Sequence, residues 1–303
     1  MLTVLLAVLA AAINALSSVL QRIANRREAR TDESRATALL HLLRQPVWLL
    51  GIGAIVVSFV LQAAALSMGE VSVVQPLMAL ELPVTLLLAS RVFRRSLGGR
   101  DWAAIVAMAA GMALFLFSLQ PGGGHPGKVG GLGWALGAGL SALTVVVLFV
   151  AGQLVGSARG AALFGIGSGV CFALTAVFMS ATLAEGLTWS ILARWETYLV
   201  PVAGIAAMVL LQLGLQAGTL VAVQPGVTLA DPVVAILLGV TMFAEQVRGG
   251  GWIVLEIAAA AGVAWGTFTL SRSDVASEVG SSGQEPDIGL GEDRRPDGPR
   301  SAG

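Results

Sequence analysis

The residues that could do chemistry are two carboxylates in apolar surroundings. Glu81 lies in VSVVQPLMALELPVTLLLAS (71–90) and Asp231 in LVAVQPGVTLADPVVAILL (220–238). Both stretches read V-Q-P-x6-P: Val74-Gln75-Pro76 with Pro83, and Val223-Gln224-Pro225 with Pro232. A carboxylate at the centre of a bilayer costs roughly 2.5–3.5 kcal/mol on insertion scales, so one found there is a candidate for function. Glu81 and Asp231 are therefore expected to contact a substrate, or to carry a proton or cation in exchange for it. Asp231 has a local alternative. Directly before Pro232, it fits an N-cap followed by proline at the first helical position. Glu81 is a residue further from its proline and fits that role less well.

Each proline leaves the carbonyl four residues earlier without its helical donor. For Pro76, Pro83, Pro225 and Pro232 these are the carbonyls of Ser72, Ala79, Val221 and Thr228. In hydrocarbon such groups need water, a side chain or a ligand. Two prolines at one spacing in each half predict kinked or broken helices around a partly polar cavity. Gln224, Thr228 and Asp231 are spaced i, i+4, i+7 and form one polar stripe. Glu81 and Thr85 share a face, with Gln75 about a third of a turn away. Asn14, Ser17, Ser18, Gln21, Gln62 and Gln212 could line the same cavity, with hydrogen bonding between helices as the alternative for each.

The elements that must hold these residues are membrane helices. Of 303 residues, 56% are hydrophobic and 12% are charged. A soluble domain has about 25% charged residues, so the composition points to an all-α polytopic membrane protein. Nine spans are expected, near 2–21, 47–68, 71–91, 101–119, 130–150, 160–183, 195–216, 219–241 and 251–270. The first is read as a span rather than a cleaved leader, because no positive charge precedes it and Arg22, Arg26 and Arg27 follow it. With the N-terminus outside, 15 of the 18 Lys and Arg residues fall on the inner side, and only Lys128, Arg194 and Arg248 fall outside. Miscounting one span would invert every later loop and destroy that bias, so the expected topology is N-terminus out, C-terminus cytoplasmic.

Four matched pairs mark an internal repeat. They are the V-Q-P elements; Ala109-Ala110-Gly111 with Ala260-Ala261-Gly262; Asp101-Trp102 with Gly251-Trp252; and Ala15-Leu16-Ser17 with Ala173-Leu174-Thr175. Spans 1–4 (1–120) and 6–9 (within 121–271) read as one unit used twice. Span 5 crosses between them, which gives the second copy inverted topology. PGGGHP (121–126) joins the halves, and 272–303 reads as a disordered cytoplasmic tail.

The pattern A-L-x-x-G-x5-Q-P-x3-L resembles the drug/metabolite transporter superfamily, of the EamA/NIPA-like type. Leu66, Gly69, Gln75, Pro76 and Leu80 carry it in one half; Leu215, Gly218, Gln224, Pro225 and Leu229 carry it in the other. Nine spans, Trp48-x-x-Gly51 and Gly165-x-Gly167-Ser168 are similar to the NIPA-like magnesium-transporter branch. The resemblance implies a transporter over about residues 1–271.

Other chemistry finds little support. Formal net charge is zero, which gives no basic field for nucleic acid. His41 and His125 lie in expected loops, Cys171 stands alone in an apolar run, and there is no Gly-x-Ser-x-Gly. An enzyme, a cofactor or a dedicated metal centre is not expected. The glycines of 130–139 and 165–169 suit close helix packing rather than a phosphate loop. Trp48, Trp102, Trp134, Trp189, Trp195 and Trp252 suit interfacial anchoring. Glu70 reads as solvated, and Glu256 as reaching the headgroups.

The expectation is a secondary transporter of the inner (plasma) membrane. It would move a small neutral or weakly charged organic solute, coupled to a proton or cation, at a midplane cavity. The residues are Glu81, Asp231, Gln75, Gln224, Thr228 and Thr85. The alternatives are a magnesium transporter with Glu81 and Asp231 facing the ion, and a membrane scaffold acting through its tail. A homodimer is compatible with either transport reading.

Overall fold

The computed structural model describes residues 1–28, 45–186, 188–273 and 275. The expected disordered tail lies outside the described residues apart from its first few positions. Among the described residues, nine helices are long and apolar enough to cross a membrane. The chain is a multi-pass helical membrane protein, and among the described residues strand pairing is limited to one isolated backbone bridge between Gly122 and Gln246.

In chain order the helices are α1 (Leu2–Glu28), α2 (Pro46–Met68), α3 (Val71–Met78), α4 (Glu81–Val92), α5 (Gly99–Leu119), α6 (Gly131–Val155), α7 (Ser157–Leu183), α8 (Trp195–Ala217), α9 (Leu220–Met242) and α10 (Trp252–Ser271). Long apolar stretches become helices because only there does every backbone group find a partner without water. α3 and α4 together make one span, Val71–Val92.

Two clusters build the bundle. In the first half α1 packs against α2, α3 and α4. In the second, α7 packs against α6, α8 and α9. α9 also meets α3, α2 meets α7, and α5 lies along α10, so the halves share a core. α7 is the central helix, buried almost continuously from Gly169 to Leu183. α6 turns most of its leucines and valines outward, as a lipid-facing helix does.

Glycine permits the closest contacts. A Cβ on Gly165 would stand 2.4 Å from the carbonyl oxygen of Val223, and one on Gly169 2.8 Å from that of Val227. α7 and α9 therefore touch backbone to backbone. The 130–139 stretch behaves differently from expectation. Gly137 packs tightly on Met242, but Gly130, Gly131 and Gly139 face open space.

The halves share local geometry. α2 ends at Gly69 (φ −160°, ψ 175°) and α8 at Gly218 (φ −164°, ψ −164°), each one residue short of the next helix's cap. A Cβ on Gly69 would meet Thr3 of α1 at 2.4 Å, and one on Gly218 would meet Ala161 of α7 at 2.7 Å. Ser58 Oγ donates to the Ala10 carbonyl, and Ser168 Oγ to that of Ala207, both at 2.8 Å. After α4 and α9 the chain turns through Arg94 and Ala244, with φ of 54° and 55°.

Trp134 departs from the anchoring expectation. It is buried, stacked on Phe178 at 5.5 Å and edge-on to Trp195 at 5.0 Å. The large apolar ring was better satisfied by two aromatic neighbours than by the interface.

Candidate functional site

The two V-Q-P elements fold differently. In the first, α3 stops at Met78 and α4 begins at Glu81. The junction tightens: Ala79 N–H donates to the Pro76 carbonyl at 3.0 Å, and Leu80 N–H to that of Leu77 at 3.1 Å. The Ala79 carbonyl, expected to lose its donor to Pro83, accepts from Leu82 N–H at 3.3 Å. Pro83 is then the third residue of α4, in a first turn where its missing N–H costs little.

In the second element α9 runs unbroken from Leu220 to Met242 through both Pro225 and Pro232. This corrects the sequence reading of Asp231. It does not cap a broken helix, because the helix is not broken there. The carboxylate that does stand at a new helix start is Glu81, the first residue of α4. Its carboxylate makes no side-chain cap bond there, and the N-cap position is taken by Leu80.

Between the halves lies a cavity of about 1090 Å³. Its wall includes Glu81, Asp231, Gln75, Gln224, Thr228 and Thr85 together, with Asn14, Ser18 and Gln62. Of the four motif prolines only Pro232 reaches the wall; Pro76, Pro83 and Pro225 are buried in packing. Ser17, Gln21 and Gln212 are not part of the wall, and Gln212 is exposed.

Hydrogen bonds divide the polar wall into two sets. Glu81 accepts from Asn14 Nδ2 at 2.6 Å on Oε2 and from Ser18 Oγ at 3.3 Å on Oε1. Asp231 Oδ1 accepts from Gln75 Nε2 at 2.8 Å, and Gln75 Oε1 accepts from Gln62 Nε2 at 2.8 Å. The second set links α2, α3 and α9, and so crosses between the halves. Gln224 Nε2 donates to Thr228 Oγ1 at 3.3 Å, along the stripe expected on α9. Thr85 and Thr182 are buried wall residues whose hydroxyls have no protein partner.

The rest of the wall is apolar or weakly polar and includes Phe59, Phe172, Met78, Met179 and Met208. Thr182 and Thr197 also reach it, as does Thr175, which the sequence marks only through the repeat. Single threonines in apolar helices carry no signal of their own; only the packing of α7 and α8 aims them inward.

One carboxylate was missed altogether. Glu245 follows α9 and is buried, 4% exposed. It accepts from Val71 N–H at 2.9 Å and Ser72 N–H at 3.2 Å, thereby capping α3 from the other half. Burial raises its pKa above the ordinary carboxylate value, and the Glu70 charge adds to the rise, while the Ser72 hydroxyl and the two N–H groups oppose it. Glu70 is accordingly half-buried beside another acid rather than simply solvated. The segment is fastened further by Gln246 N–H to the Gly122 carbonyl (2.8 Å), Gly122 N–H to that of Gln246 (3.1 Å) and His125 N–H to that of Phe243 (2.8 Å). Glu256 is half-buried, with Oε1 shielded and without a partner.

Among the described residues no three His, Cys, Asp or Glu side chains gather as a metal site. The chain is 29% identical over 286 residues to a protein of Corynebacterium glutamicum described as uncharacterised, a match covering 90% of this chain and 96% of that one. No protein-family model matches the chain, and no solved structure matches it.

Proposed function

We propose that this protein is a secondary transporter of a small organic solute, neutral or weakly charged, coupled to a proton or cation. The carrying observation is the cavity of about 1090 Å³ between the halves, with Glu81 from one half and Asp231 from the other in its wall. That volume is slightly above the roughly 300–1,000 Å³ of ligand pockets. Two carboxylates facing one cavity offer separate places for a solute and for the ion exchanged with it.

The working motion is alternating access by two inverted repeats. The repeat is supported by more than the motif. The offset relating Ala15 to Ala173 also relates Ala10 to Ser168, and the offset relating Gln75 to Gln224 also relates Ser58 to Ala207. The two interhelical serine bonds, Ser58 to Ala10 and Ser168 to Ala207, thus join equivalent positions in the two halves. The matched glycine turns at Gly69 and Gly218 and the matched left-handed residues Arg94 and Ala244 point the same way. On this reading the protein is a member of the drug/metabolite transporter superfamily in the inner (plasma) membrane, N-terminus outside.

The magnesium alternative draws less support. Magnesium demands an octahedral oxygen shell and retains several waters. Here the wall is largely apolar, and each carboxylate is engaged by its own set of protein donors.

Flux and proton movement in proteoliposomes test the proposal. Solute counterflow should be present in the wild type and uncoupled from protons in Glu81→Gln. Counterflow with unchanged proton coupling in the double variant Glu81→Gln/Asp231→Asn would falsify the coupling role. Magnesium uptake abolished by Glu81→Gln would favour the ion reading instead.

A further inference from the structure

The linker after α5 and the loop after α9 are knitted into one roof. Besides the Gly122–Gln246 and His125–Phe243 bonds, Arg248 N–H donates to the Leu119 carbonyl at 2.9 Å. The roof sits at one end of the cavity. A Cβ on Gly127 would be 3.2 Å from that of Ala184, which follows the wall residue Leu183. Elsewhere the roof meets the first turn of α3, one turn ahead of the wall residue Gln75. Among the described residues, the hydrogen bonds that fasten it to α3 are those of Glu245 alone. Val71 N–H donates to one carboxylate oxygen and Ser72 N–H to the other. The carboxylate is closely enclosed: a Cβ on Gly239 would lie 2.4 Å from Oε2, and one on Gly124 2.8 Å from Cγ. In the repeat, Arg95 holds the place of Glu245, and Leu220 and Val221 hold those of Val71 and Ser72. A guanidinium only donates, so it cannot hold the first turn of α9 in this way.

We propose that Glu245 is the latch of an outer gate: its carboxylate holds the roof on α3 and keeps the cavity shut towards the outside, and release of the two N–H groups opens it. The inference rests on the transport reading above and adds a gate to it. Halves that rock around a central site part at one face at a time. α3 and the loop after α9 belong to different halves, so parting at this end breaks the Glu245 bonds first. The bonds favour closure because the first N–H groups of a helix have no partner within it, and its positive end attracts an anion. Once open, the carboxylate and both N–H groups reach water. Release therefore exchanges protein bonds for water bonds, a small net difference that biases a population without freezing it. Since Arg95 stands at the matching place, the latch acts at one end only, and the resting protein favours closure towards the outside.

The test is thiol labelling of Gly204→Cys in the full chain, with the one native cysteine removed by Cys171→Ala. Gly204 lines the cavity, and a Cβ there meets only Thr175, at 3.9 Å, so a cysteine fits. A membrane-impermeant maleimide is given to right-side-out or to inside-out vesicles, which reads each face separately. Glu245→Ala should raise the outer labelling rate by about fivefold or more, the population shift that loss of a helix cap allows, without raising the inner rate. Glu245→Gln keeps an acceptor and should fall between. A merely structural role would loosen the whole bundle, so equal rises at both faces overturn the proposal, as does no rise at either. Should Glu245→Ala fail to fold by gel filtration, Gly124→Ala takes its place, since the added Cβ pushes Glu245 aside, and the same outcomes apply. A rise confined to the inner face keeps the latch and overturns the proposed orientation. A selective outer rise without proteoliposome counterflow supports the latch and sinks the transport reading. Counterflow with labelling indifferent to Glu245→Ala does the reverse.

Discussion

One sequence pattern, V-Q-P-x6-P, gives a broken helix at residues 71–92 and a continuous one at 220–242. The prolines are the same, so the prolines do not decide. What differs is the neighbour. Along α9 the carbonyls of Val223 and Val227 press into Gly165 and Gly169 of α7, and a Cβ on Gly226 would lie 2.8 Å from the Ile166 nitrogen. A helix gripped along its backbone stays continuous although two amide donors are missing. In the first half the residue at the place of Gly226 is Leu77, a buried side chain where the second half has none. There the chain relieves Pro76 and Pro83 by stopping and restarting. Proline supplies the tendency to kink; a glycine-lined groove can veto it.

The largest expected effect breaks that grip. Gly165→Val should cost about 3 kcal/mol or abolish folding, since overpacking at a backbone contact cannot be relieved by a side-chain rotation. Thermal unfolding in detergent checks it, and a variant as stable as the wild type would remove the explanation for the unbroken α9.

Next comes the cap at the start of α3. Glu245→Ala should cost about 1–2 kcal/mol, the loss of a helix cap. Glu245→Gln keeps an acceptor and should cost less. The native carboxyl has its pKa raised by burial, so it binds a proton at a pH where the unfolded chain has released it. Its contribution is therefore full at low pH and falls as pH rises from the ordinary carboxylate range through the native value. Unfolding midpoints measured across that window should slope downward in the wild type and flatten in Glu245→Gln.

A finer comparison pairs the second prolines. Pro232→Ala restores an amide donor inside a continuous helix and should gain about 1 kcal/mol. Pro83→Ala, in the first turn of α4, should change stability by less than about 0.5 kcal/mol. Equal gains would mean that the break at residues 79–80 does not follow from where the proline sits. The smallest effect belongs to Gly139→Ala, facing open space on α6, where a helical alanine should gain about 0.5 kcal/mol. A loss there would reveal a partner for α6 outside this chain.

Much of the architecture was legible because hydropathy is a property of single residues. Nine apolar runs, their lengths and the Gly-Pro punctuation are all written locally. The cavity residues Glu81, Asp231 and Gln75 stood out for a similar reason: polar atoms in apolar runs are conspicuous. Which helix breaks was not legible, because it depends on what α7 presents to α9 across the fold. Glu245 was hidden by its setting in a short polar loop, Phe243-Ala244-Glu245-Gln246, where an acid is ordinary. Its signal lay in the repeat. Phe93-Arg94-Arg95 occupies the same place in the first half, and the sign of the charge is reversed. The repeat also hid an asymmetry. Asn14, a donor to Glu81, has Phe172 as its counterpart, so the hydrogen bonds around Glu81 are not duplicated.

The side chain of Gln75 carries a last consequence. Its amide has two unlike ends, and both are committed: the oxygen to Gln62, the nitrogen to Asp231. That direction suits an aspartate that only accepts. Were a proton to settle on Oδ1 rather than on the open Oδ2, Gln75 would have to rotate end for end, and Gln62 with it, for each pair to stay matched. Three side chains on three helices would thus keep a memory of one proton. The message would be written in which way an amide points, and read by the helix two partners away.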